Sequence, residues 1–193
     1  MQWQKNQDTH IVRWLRRRTL VFNAKQAIGS RIWAKSFILD SDGNVHDIYE
    51  DGKLSCSTFI SGILRMNNLW DDQTVANTSS LIQKLPQNGW ELIDEPRIGC
   101  LIIYEDNKLH RAWATKHIGI LVDDDLVVSN SSNDEPYVIR SHPINYMKMA
   151  HGDWRKIEGY WWHKDFEDDD LFHMKEDVFT RTETPVHKFE KST

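Results

Sequence analysis

Apolar positions recur at helical spacing in three early segments and at strand spacing afterwards. Ile11, Val12, Leu15, Thr19 and Phe22 are related by steps of three, four or seven, which predicts an amphipathic helix over 10–28 ended by Gly29. Phe59, Ile60, Ile63 and Leu64 share one face of a second predicted helix over 56–69. A third is predicted over 74–85, where Pro86 stops it. Between the first two, FILDSDGNVHDIYEDG sets short apolar runs around Asp-Gly dipeptides, a hairpin signature. Asp40, Asp42, Asn44 and Asp51 also imitate ligand positions of a calcium loop. Val45 stands where such a loop needs glycine for its sharp turn, so the hairpin is the reading.

After Pro96 the pattern turns to strands: GCLIIYE, KHIGILV, DLVVSN, PYVIRSH and IEGYWWH, separated by acidic, Asn and Pro turn residues. Helices grouped early and strands grouped late predict an α+β domain, N-terminal helices on an antiparallel sheet, rather than a parallel doubly wound one. Beyond His163 periodicity fades, and nine acidic and five basic residues follow. The expected organisation is therefore one domain over 1–163 and an acidic, flexible tail over 164–193.

The chain has 193 residues with 39% hydrophobic and 27% charged residues, a globular composition sized for one core. Its net charge of -5 argues against a whole-surface nucleic-acid binder. The stretch from His10 to Leu39 nevertheless carries seven Lys or Arg and no acidic residue, which leaves a local anionic partner open. No apolar run reaches the roughly 18 residues of a membrane span, and MQWQKNQDTH lacks a secretory apolar stretch. A cytoplasmic location is expected, with non-Sec export or phage-mediated release compatible with it. Cys56 and Cys100 are the only cysteines, so at most one disulfide forms and no four-cysteine zinc site exists. The histidines show no paired helical spacing with cysteines or acids, and neither a metal nor a cofactor is expected.

Candidate chemistry gathers on Cys56 and His117. In KLSCSTFISGIL a turn leads directly into a helical pattern, which places Cys56 at a helix N-terminus. Unpaired N–H groups there favour a thiolate, whose free thiol has a pKa of about 8.5, and can hold the oxyanion formed when sulfur attacks a carbonyl. His117 opens the apolar run KHIGILV, a strand on which a base is held rigidly. The next strand, DLVVSN, offers Asn130, the first choice, or Ser129 to orient the imidazole. Ser57 beside the thiol, with Trp33 and Trp113 as stacking faces for a sugar or peptide plane, are the substrate-contact candidates. Cys100, among Leu101, Ile102 and Ile103, reads as core.

In order, AKQAIG, SCSTFI, GCLIIY and HIGILV resemble four successive motifs of the NlpC family of papain-like cysteine peptidases and amidases, and more loosely the CHAP amidases. The resemblance covers parts of residues 24–130. It implies a papain-like fold, Cys56 as nucleophile, His117 as base, and a third polar residue at Ser129 without a gap or Asn130 with one. Ser55, Thr58 and Cys100 depart from the family's Asp, Gly and Asp, and RIWAKS replaces its Tyr-x-Trp-Gly-Gly stretch. The implied activity is hydrolysis of an amide, with peptidoglycan stem peptides as the suggested substrate, through a thioester at Cys56. Acyl transfer or deamidation on the same fold are alternatives, as is a noncatalytic module that docks its basic first helix on an anionic partner.

Overall fold

The computed structural model describes residues 15–106, 116–130, 137–145 and 154–166. Helix α1 (Arg16–Gln26) is followed by the hairpin β1 (Phe37–Leu39) and β2 (Val45–Asp47), then α2 (Cys56–Met66) and α3 (Thr78–Lys84). Six strands complete the domain: β3 (Trp90–Ile93), β4 (Leu101–Tyr104), β5 (His117–Asp123), β6 (Leu126–Asn130), β7 (Ile139–Pro143) and β8 (Ile157–His163). They form one antiparallel sheet in the order β3-β8-β4-β5-β6-β7, and both α1 and α2 pack on β5. The fold class is α+β.

The first helix departs from its predicted stripe. Its buried residues are Leu20 and Ala24, whereas Phe22 is 48% exposed. Apolar residues are spread around the helix, so the contact with β5 rather than the periodicity selects the buried face. Ile11 and Val12 lie outside the described residues. Gly29 ends the turn after α1 at φ +84°, and its N–H donates to the Ile139 carbonyl on β7.

Helix α2 follows its pattern: Phe59, Ile60, Ile63 and Leu64 are all buried in the main core. Helix α3 begins at Thr78 rather than Thr74, because the Asn77 side chain caps it by accepting the Ser80 N–H. The hairpin forms with Leu39 opposite Val45, and Asp40 accepts the N–H groups of Asp42 and Asn44 inside its turn. Strand β3 has no counterpart in the sequence reading. Only four residues long, it pairs Trp90 with His163 and Leu92 with Trp161.

The packed domain runs past His163. Phe166 is buried against Trp90, Trp162 and the His163 ring, and Asp165 pairs with Arg16. Lys164, Asp165 and Phe166 thus belong to the domain, and the rest of the acidic tail lies outside the described residues. Among the described residues no helix is long and apolar enough to cross a membrane.

Candidate active site

The loop that feeds α2 is locked by its own backbone. Glu50, Asp51 and Gly52 all have positive φ, at 48°, 57° and 107°. A Cβ on Gly52 would lie 2.9 Å from the Tyr137 carbonyl oxygen, so only glycine fits there. Asp51 takes its N–H to the Asp47 carboxylate and its own carboxylate to Arg31 and Lys35. The Gly52 carbonyl accepts from the Ser55 N–H, the Ser55 hydroxyl and the Asn130 side-chain amide. Ser55 precedes α2 but supplies no side-chain cap, and its hydroxyl turns back to Gly52 instead. The helix-end N–H groups are left to the residue that follows.

That residue is Cys56, the first of α2, as the sequence predicted. The expected ease of ionisation does not follow. Burial pushes the thiol above its ordinary range; the Thr78 hydroxyl 3.5 Å from Sγ, the Arg155 charge and the backbone N–H groups of Ser57 and Cys56 pull the other way without winning. The helix terminus does stabilise the anion, but removing the sulfur from water costs more. Cys100 is fully buried in the core and is pushed up to about 12 by burial, which agrees with its reading as a small hydrophobe.

His117 is the first residue of β5 and is buried, and among the described residues its Nε2 has no hydrogen-bond partner. Burial holds its pKa well below the ordinary histidine range, with the charges of Arg155 and His142 adding to the effect. The ring is neutral at pH 7. Its neighbour across β4 is Tyr104, with the two ring centres 5.9 Å apart.

Neither partner expected of His117 is hydrogen-bonded to it. Asn130 donates to Gly52, and Ser129 Oγ lies 3.0 Å from Nε2 of His142 on β7. The register separates the two candidates. Ile120 pairs with Val128, and a Cβ built on Gly119 would lie 3.3 Å from Ser129 Cβ, which sets Gly119 and Ser129 on one face. Alternation then puts Ser129 on the face of His117 and Asn130 on the other.

Ser57 is buried, and among the described residues its Oγ has no partner. Trp33 lies against the middle of α2. Its Nε1 would be 2.7 Å from a Cβ on Gly62, and its ring meets Phe59 edge-on at 5.3 Å. Six residues of helix, about 9 Å, separate Gly62 from Cys56, so Trp33 supports the helix there. Trp113 lies outside the described residues.

Arg155 is the member the sequence reading missed. It is buried just ahead of β8, donates Nη1 to the Glu105 carbonyl, and acts electrostatically on both Cys56 and His117. An arginine before a strand in DWRKIEGYWWH carries no signal of burial, since charged residues at strand starts are mostly solvated. No family model matches the chain, and no curated protein matches it. Among the described residues no group of three or more His, Cys, Asp or Glu side chains is placed to hold a metal ion.

Proposed function

We propose that this protein is a thiol-dependent amide hydrolase with Cys56 as nucleophile and His117 as base, on a papain-like arrangement of the NlpC type. One observation carries the reading. A buried cysteine at the uncapped start of α2, and a buried imidazole with an unpartnered Nε2 on the strand against which α2 packs, both respond to the charge of Arg155. The order of AKQAIG, SCSTFI, GCLIIY and HIGILV along the chain supports the same assignment and points to peptide amides, peptidoglycan stem peptides among them, as substrate.

The resting pair is thiol and neutral imidazole. As Sγ attacks the amide carbon, its proton passes to His117 Nε2 and the carbonyl oxygen takes the negative charge. The N–H groups at the start of α2 stabilise that oxyanion, each well-placed donor contributing about 3 to 4 kcal/mol. Collapse breaks the C–N bond, and the amine leaves with the proton from His117. A thioester remains on Cys56. Water then attacks the thioester while His117 takes its proton, and breakage of the C–S bond releases the acid and restores the thiol. Arg155 favours thiolate but disfavours imidazolium, so its two effects on the proton transfer oppose each other. Burial, with Arg155 adding to it, keeps the base unprotonated before the reaction begins.

The test uses the full chain and a peptide-like electrophile such as a chloromethyl ketone, with mass spectrometry to locate the adduct. The expected adduct is on Cys56, is lost in Cys56→Ala, and forms at least about a hundredfold more slowly in His117→Ala. An adduct rate that is the same at Cys100 as at Cys56, or unchanged in His117→Ala, removes the reading.

A further inference from the structure

The segment that leads into α3 is stitched to α2 by hydroxyl groups. Thr58 Oγ1 donates to the Val75 carbonyl at 3.4 Å, and Ser61 Oγ accepts the Val75 N–H at 2.9 Å. Ser61 gives its own hydrogen to the Ser57 carbonyl one turn back, which leaves its lone pairs for Val75. Both side chains are buried. Asn77 then caps α3, and Thr78 is the first residue of that helix. The two bonds to Val75 therefore fix where Thr78 stands relative to the first turn of α2, which carries Cys56.

Thr78 is buried, and its Oγ1 lies 3.5 Å from Cys56 Sγ. Among the described residues the sulfur is the one hydrogen-bond partner of this hydroxyl. A buried hydroxyl ordinarily finds a backbone carbonyl. This one has a sulfur, a weak acceptor as a thiol and a stronger one once it is charged. In the resting pair either S–H or O–H can donate. A thiolate can only accept, so after the thiol proton has left, the Thr78 hydroxyl must be the donor. His117 Nε2 has no hydrogen-bond partner among the described residues, so in the resting site the sulfur is bonded to Thr78 and not to its base.

We infer that Thr78 is a further catalytic residue of this site: its hydroxyl donates a hydrogen bond to Cys56 Sγ whenever the sulfur carries negative charge. The inference rests on Cys56 as nucleophile, and it names a second group that acts on the reacting sulfur. During attack the thiol proton passes to His117 Nε2 and a sulfur electron pair forms the C–S bond. When the thioester is hydrolysed, the C–S electron pair returns to sulfur and the proton comes back from His117. Thr78 keeps its own hydrogen throughout and donates at both stages. Burial raises the thiol, and of the groups that act against burial Thr78 acts most strongly.

Iodoacetamide alkylation of the full chain, followed by mass spectrometry from about pH 7 to 9, tests it, because the thiolate is the species that reacts. Thr78→Val keeps the branched shape of the side chain and removes the hydroxyl. It is expected to slow alkylation of Cys56 about tenfold at each pH and to leave that of Cys100 unchanged. Thr78→Ser keeps the hydroxyl and is expected to retain at least about half of the parent rate. A Cys56 rate in Thr78→Val within about twofold of the parent overturns the inference. An equal fall in Thr78→Ser also overturns it, since the effect is then one of packing. Should Thr78→Val not fold, Thr78→Ala is compared with Thr78→Ser by the same criteria. Failure of the hydrolase reading is distinct: the chloromethyl ketone then reacts with Cys56 at the same rate in the parent and in His117→Ala, whereas the iodoacetamide rate still depends on the Thr78 hydroxyl.

Discussion

The Asn130 side-chain amide donates to the Gly52 carbonyl, so the last residue of β6 holds the loop that delivers Cys56 to the start of α2. The same carbonyl takes both donors of Ser55. Replacing Asn130 with Ala removes a buried bond and is expected to cost about 1 to 3 kcal/mol of stability, read from urea unfolding. Ser129→Ala, on the other face of the strand, is expected to leave Gly52 held. A loss of less than about 0.5 kcal/mol in Asn130→Ala would show that Asn130 has no special hold on the loop.

Gly52 is the hinge of that loop. With φ at +107° and the Tyr137 carbonyl oxygen 2.9 Å from any added Cβ, Gly52→Ala combines backbone strain with a clash against backbone. Strain alone costs about 1 to 3 kcal/mol. The expected outcome is a melting temperature lowered by several degrees and slower adduct formation at Cys56. Gly43→Ala provides the comparison, since it shares the positive φ at +84° but meets nothing within 4 Å, and is expected to cost less.

Titration of the buried groups brackets the stable pH range. His117, His142 and His163 all have pKa values lowered chiefly by burial, so the unfolded chain binds more protons than the folded one below its histidine pKa of about 6.5. Their contribution is present above that pH and is lost as the pH falls through the folded values. Cys56 and Cys100 are raised, again chiefly by burial. Their contribution is present below the unfolded thiol value of about 8.5 and is lost as the pH rises through the folded values. Unfolding free energy is therefore expected to be highest between about pH 6.5 and 8.5 and to fall on both sides. A flat profile from pH 5 to 7 would contradict the burial of these rings.

Phe166 tests where the domain ends. It is fully buried among Trp90, Trp162 and His163, and Phe166→Ala is expected to cost about 3 to 5 kcal/mol in denaturant unfolding. Phe37→Ala, on the exposed hairpin, is expected to change stability by less than about 0.5 kcal/mol. Similar costs at the two positions would place Phe166 outside the core.

Local pattern was enough for the α+β class, for α2 beginning at Cys56, for the Asp-Gly hairpin and for five of the six sheet strands, because each depends on periodicity and turn chemistry carried within a few residues. It was also enough to place Cys56 at a helix start and His117 at a strand start. Strand β3 escaped because four residues with two exposed positions hold too little pattern of their own; β8 makes them a strand. The buried face of α1, the burial of Arg155, the bond from Asn130 to Gly52 and that from Ser129 to His142 were decided only by the tertiary structure. Each joins residues distant along the chain, and which of two adjacent polar residues faces the imidazole turns on the register between β5 and β6, where a shift of one residue exchanges the faces. The thiol is the sharpest case: the helix terminus that favours its anion is legible in the sequence, while the burial that outweighs it exists only once the chain has folded.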